Sequence, residues 1–191
     1  MCHGLFSVFA ERVICRDHTV GSADDDLNAA YQAARSTGVD PALVADQRAW
    51  IVTRNACRTT LCVRRQYSTR ISQLNAYINV HGGGGPAGFY TKLRYGWGQM
   101  SALRTGQTWT VHLIAGGYPE GPSMAANCEI TAVGTLSGNT FSGTFEPADD
   151  QPNRPATMTI TFRNGSADLS ADSGRACGMH DGVNGIYHLA R

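Results

Sequence analysis

Charge is scarce in this chain of 191 residues: Asp, Glu, Lys and Arg make up 16%, and the formal net charge is +1. So weak a field gives no general attraction to nucleic acid or anionic lipid, and partners must be recognised locally. Long apolar runs are also missing. The longest, such as Trp109 to Ala115, fall far short of the roughly 20 residues of a spanning helix, which excludes a transmembrane segment of that kind. The opening Met1-Cys2-His3-Gly4 lacks the basic, apolar and small-residue zones of a signal peptide and reads as a start codon placed on a mature sequence. Catalytic signatures are absent as well. There is no HExxH, Walker loop or GxSxG, and the glycine run after His81 lacks the Lys-Ser/Thr that would hold a phosphate. His3, His18, His81, His112, His180 and His188 are dispersed, none at metal-ligand spacing from another. The chain therefore reads as a binding protein with no catalytic residues, no cofactor and no metal.

What is present is a normal apolar content of 42% and six cysteines, in the order Cys2, Cys15, Cys57, Cys62, Cys128 and Cys177. Six allow many pairings. If sequence neighbours pair, each bridge lies inside one module, and each shorter loop contributes on the order of 3 kcal/mol by restricting the unfolded chain. The competing zinc reading requires CxxC or close Cys/His spacing, which the stretch from Cys57 to Cys62 does not offer. Bridges imply an oxidising compartment and an exported protein.

The first half has helical spacing. Ser22-Ala23-Asp24-Asp25 resembles a capping box, and Leu27, Ala30, Tyr31 and Ala34 recur at helical intervals until Gly38, which predicts a helix over 23–37. Asp40-Pro41 is a cap followed by proline at the first helical position; Leu43, Gln47, Trp50, Ile51 and Arg54 then share a face. After Thr59 or Thr60, Leu61, Tyr67, Ile71, Leu74 and Ile78 predict a third helix. A Cys57/Cys62 bridge would staple the turn between the last two and make them antiparallel.

His81-Gly82-Gly83-Gly84-Gly85-Pro86 ends the helical pattern and reads as a flexible link. Alternation replaces it, most clearly over 109–115 and 158–162, with further strands expected at 89–95, 128–136, 140–145, 167–171 and 185–189. Turns at Ser137-Gly138-Asn139 and Asn164-Gly165 fit an antiparallel meander. The first and last strands begin Gly88-Phe89-Tyr90 and Gly185-Ile186-Tyr187, a matched pair of ends suited to a sheet that closes on itself. The expected fold is α+β: a disulfide-stapled helical module over 1–80, a glycine-rich linker at 81–88, and an antiparallel β-barrel or curved sheet over 89–191.

The order Asp25-Asp26-Leu27-Asn28-Ala29-Ala30-Tyr31, Asp46-Gln47-Arg48-Ala49-Trp50, Arg54, Cys57, Cys62, Tyr67, Arg70-Ile71 and Leu74 resembles the N-terminal domain of the LprI lysozyme-inhibitor family, including YecT-like proteins. Glu11-Arg12-Val13-Ile14-Cys15 is similar to that family's short opening helix, where an earlier cysteine, here Cys2, is the partner. The second half is similar in outline to the small barrel of MliC-type inhibitors, with Ser137-Gly138-Asn139-Thr140-Phe141 an imperfect version of their serine-glycine loop and no matching lysine-bearing motif. The resemblance implies a periplasmic or secreted bacterial protein whose partner is a lysozyme or another wall-degrading enzyme. The alternative is an envelope interaction or immunity protein with a different secreted partner.

Three groups of residues are candidates for contact. Asp25, Asn28, Gln47, Arg48, Trp50 and Arg54 read mainly as architecture, with Arg48 and Arg54 bonding carboxylates such as Asp25 or helix ends. The loop around Cys177 carries Arg175, His180 and Asp181, where a donor could enter a cleft lined by two catalytic carboxylates. Lys92, Arg94 and Trp97, with Tyr90 and Tyr95, form a basic and aromatic run of the kind that dominates interfaces, although strand alternation would turn half of them inward. Ser137, in the serine-glycine loop, completes the set.

Overall fold

The computed structural model describes residues 8–92, 97–116, 127–147, 155–172 and 183–191. The chain divides into two compact units, the first running to Tyr77 and the second from Ile78 to Ala190. Among the described residues, four helices are followed by eight antiparallel strands, an α+β architecture.

In the first unit α1 spans Phe9–Arg16 and α2 spans His18–Ser36. The helix predicted to start at Ala23 starts earlier, because the Asp17 carboxylate accepts from the amides of Thr19 and Val20 and caps it there. Ser22 to Asp25 then lie inside the helix. Helix α3 spans Pro41–Asn55, and Asp40 caps it by accepting from Ala42 N at 2.8 Å. Helix α4 spans Thr60–His81, and Thr59 Oγ1 accepts from Cys62 N. The Cys57–Cys62 disulfide bridges the short connection between α3 and α4. Cys15 and Cys128 are also disulfide-bonded, while Cys2 and Cys177 lie outside the described residues.

Leu27, Ala30 and Ala34 of α2, Leu43 and Trp50 of α3, and Val63, Tyr67, Ile71 and Leu74 of α4 are buried. Two expected members of these faces, Ile51 and Leu61, are exposed instead. Trp50 and Tyr67 meet edge to face at 5.4 Å, and the indole nitrogen donates to Gln66 O.

The glycine run forms a hydrogen-bonded turn. Gly82 N donates to Ile78 O, Gly84 N to Asn79 O, and Arg104 N to Gly82 O. Gly83, at φ 112°, sits where a Cβ would lie 2.4 Å from that of Arg104, so the close approach requires glycine.

The second unit is a meander of β1 Gly88–Lys92, β2 Trp97–Thr105, β3 Thr108–Gly116, β4 Asn127–Ser137, β5 Thr140–Phe145, β6 Ala156–Arg163, β7 Ser166–Ala171 and β8 Gly185–Leu189. Pairing of Tyr90 with Leu189 and Thr91 with His188 closes it into a barrel, as the matched strand ends predict. Inward side chains alternate, for example Trp109, Val111, Leu113 and Ala115 on β3 and Met158, Ile160 and Phe162 on β6. Strand β2 is not among the predicted ones. Two of its inward positions are Gly98 and Ala102, so its alternation is hard to see in apolar bulk; Gly98 is needed because a Cβ there would lie 2.7 Å from the Tyr187 ring.

Candidate functional site

Arg54, on α3, is the hub of the helical unit. It is 7% exposed. Its guanidinium donates to Tyr67 Oη at 3.0 Å, to the Glu11 carboxylate and to Asn55 Oδ1, and it lies over the Trp50 ring at 5.4 Å. Asp24 completes the cluster, accepting from Tyr67 Oη at 2.6 Å and standing 3.8 Å from Arg54. Burial, followed by the hydrogen bond to Asp24, raises the Tyr67 pKa well above the usual tyrosine range. One arginine thus ties together helices α1 to α4. The expected architectural role of Arg54 and Trp50 fits this geometry, with Asp24 rather than Asp25 as the carboxylate.

A second polar cluster lies between α3 and α4. Arg70, 6% exposed, donates through Nε to Gln47 Oε1 at 2.9 Å and through Nη1 to Gln73 Oε1 at 3.3 Å. Its Nη2 is buried without an acceptor among the described residues. Burial pulls the Arg70 pKa down, and the nearby charge of Asp46 opposes that shift. Arg70 and Asp46 line an open groove of about 500 Å³ with Leu43, Ala49, Trp50, Thr53, Gln66, Gln73, Leu74 and Tyr77. Tyr77 Oη donates to Asp40 Oδ2 at 2.8 Å.

Around the corner between α2 and α3, a concavity of about 430 Å³ is lined by Arg35, Val39, Asp40, Leu43 and Arg48, among others. Val39 is fully exposed at this corner. Arg48, expected to serve as a clasp, is exposed here, and Leu43 lines both concavities. Sequence reading missed Arg35, Val39 and Gln73 as candidate contact residues. The one local signal was the Thr37-Gly38-Val39-Asp40 break between two helices, which places an apolar residue on a turn.

On the barrel, Lys92 is a correction. It is 3% exposed, its Nζ donates to Asn184 O at 2.9 Å, and it stands 5.3 Å from the Tyr187 ring centre. Burial lowers its pKa. The alternation of β1 makes it an interior residue rather than a surface contact. Tyr90 is buried too; its hydroxyl donates to Pro86 O, and burial pushes its pKa up to about 12. Trp97 is half-buried, with its indole against Gly116. Ser137 is exposed in the β4–β5 hairpin. Lys92 pairs with Gly98, which aligns through Ala115 with Cys128. Ser137 therefore stands about 30 Å along β4 from that end of the barrel. The structure separates Ser137 from Lys92 and Trp97. Arg94, Arg175, His180 and Asp181 lie outside the described residues.

Comparison with known proteins bears on the helical unit. No solved structure gives a significant match. Lipoprotein LprI from Mycobacterium bovis (strain ATCC BAA-935 / AF2122/97) and from the CDC 1551 and H37Rv strains of Mycobacterium tuberculosis are each 33% identical over 72 residues. That stretch covers 36% of this chain and 36% of each relative, so the match spans about a third of the curated relatives. Residues 7–74, which hold the Arg54 clasp and the Arg70 groove almost entirely, match the model of the family described as lysozyme inhibitor LprI, and this is the part of the chain that resembles that family.

Proposed function

We propose that this protein binds and inhibits a lysozyme or a related peptidoglycan-degrading enzyme outside the cytoplasm, and that the helical unit supplies the binding face. The observation that carries this reading is the similarity of residues 7–74 to lysozyme inhibitor LprI. Inhibition by occlusion requires shape and hydrogen bonding and no chemistry of its own. Glycosidases of this class work with a pair of carboxylates flanking the scissile bond. Guanidinium groups are the side chains best matched to carboxylates, and the α2–α3 corner offers Arg35 and Arg48 beside the exposed Val39. Arg94, Arg175, His180 and Asp181 enter the proposal as further contact residues, and Trp97 and Ser137 as two separate ones at opposite ends of the barrel. The disulfides agree with an oxidising compartment.

The test is a lysozyme activity assay with the purified chain added in micromolar excess over c-, g- and i-type enzymes. At least one is expected to lose activity in proportion to added protein. Full activity of all three refutes the reading.

A further inference from the structure

We propose that the groove between α3 and α4 is a docking site for an acidic side chain of the partner protein, received by Arg70. This deepens the reading of the helical unit as a protein-binding domain and rests on it. A guanidinium carries five donors in a rigid fork. The acceptors that the structure gives Arg70 are the neutral amide oxygens of Gln47 and Gln73, and its Nη2 is buried with no acceptor among the described residues. Arg54, by contrast, has carboxylate partners in Glu11 and Asp24. A buried cation whose direct acceptors are neutral is costly, and a buried donor without an acceptor requires an explanation.

The groove supplies one. Arg70 lines it, and Gln73, which holds Nη1 at a long 3.3 Å, is an exposed side chain that can swing away. Nη1 and Nη2 would then form the two-pronged donor that a carboxylate accepts bidentately. Ala49, exposed beside it, and the edge of Trp50 offer apolar surface for the short stem of an Asp or Glu. Asp46, on the same groove, already supplies one negative charge, so the buried cation can offset one incoming carboxylate but not an acidic run. The groove is open-sided, which favours a residue presented on a protein surface over a free small molecule.

Two measurements on the full chain test this. The first follows the Arg70 Nε resonance by nitrogen-15 NMR while N-acetyl-aspartate methylamide is added to millimolar concentration, with the asparagine analogue as control and Arg70→Lys to assign the signal. A saturating shift with the aspartate compound alone is expected. The second uses Gln73→Glu, an exposed substitution that supplies Arg70 with an internal carboxylate. It should abolish the NMR response, keep or raise the melting temperature, and weaken lysozyme inhibition about ten- to a hundredfold, the range for a hydrogen bond to a charged group. No Arg70 response to the aspartate compound overturns the proposal, as does a Gln73→Glu protein that inhibits like the wild type. A wild-type protein that responds to the aspartate compound but inhibits no lysozyme leaves the groove standing and sinks the lysozyme reading.

Discussion

Replacing Arg54 with Met tests whether the helical unit depends on one buried cation. The substitution keeps a long apolar stem at a position that is 7% exposed, but removes every donor to Tyr67, Glu11 and Asn55. Breaking a buried ion pair from one side costs about 3–5 kcal/mol, because the partner is left desolvated. Here the side chains of Glu11 and Asp24 are 34% and 29% exposed and can recover part of their hydration, which sets the expected loss at the lower end, about 3 kcal/mol. For a helical unit of this size, that loss lowers the melting temperature by about 12–24 °C. Thermal unfolding of the full chain, followed at the helical circular-dichroism band, measures it. Arg54→Lys keeps the charge but loses the planar fork, and should recover about half of the loss. A drop below about 4 °C for Arg54→Met, equivalent to ~1 kcal/mol, would show that the clasp is peripheral and that apolar packing alone holds the four helices.

Two further outcomes follow from the geometry. Gly98→Val places a branched side chain where even a Cβ lies 2.7 Å from the Tyr187 ring; overpacking of this kind costs about 1–3 kcal/mol and should lower the urea midpoint of the barrel's near-ultraviolet signal, whereas an unchanged midpoint would contradict the inward placement of Gly98. The Asp17 pKa is held below its ordinary value of 3.8, chiefly by the hydrogen bond from Arg64, so its contribution is present above that value and is lost as pH falls through the lowered one. Arg64→Ala should therefore flatten the decline of helical-unit stability below about pH 4, and an unaltered acid profile by urea titration would argue against the pair.

Much of the architecture is written locally. The Asp40-Pro41 cap opens α3 and Thr59 caps α4, because capping acts within one turn and needs only neighbours in the chain. Strand alternation and the two Gly-Ile/Phe-Tyr ends indicate a closing meander for the same reason, since side-chain direction along a strand repeats every second residue. Local signals can also compete: Ser22 to Asp25 have the composition of a cap, yet Asp17 is used instead.

The candidate site belongs to the other class. Gln47 and Arg70 are separated by 23 positions, and Arg54 and Glu11 by 43; only the packing of helices brings them together. The same holds for Lys92, whose interior setting depends on the register of β1 against its neighbours and on Asn184. Helices, strands and the family likeness of 7–74 are legible in the sequence because they rest on short-range pattern. Which arginine is fully partnered and which is left with a buried donor is decided by the tertiary structure alone, because hydrogen bonding and desolvation depend on what three-dimensional packing places within about 3 Å.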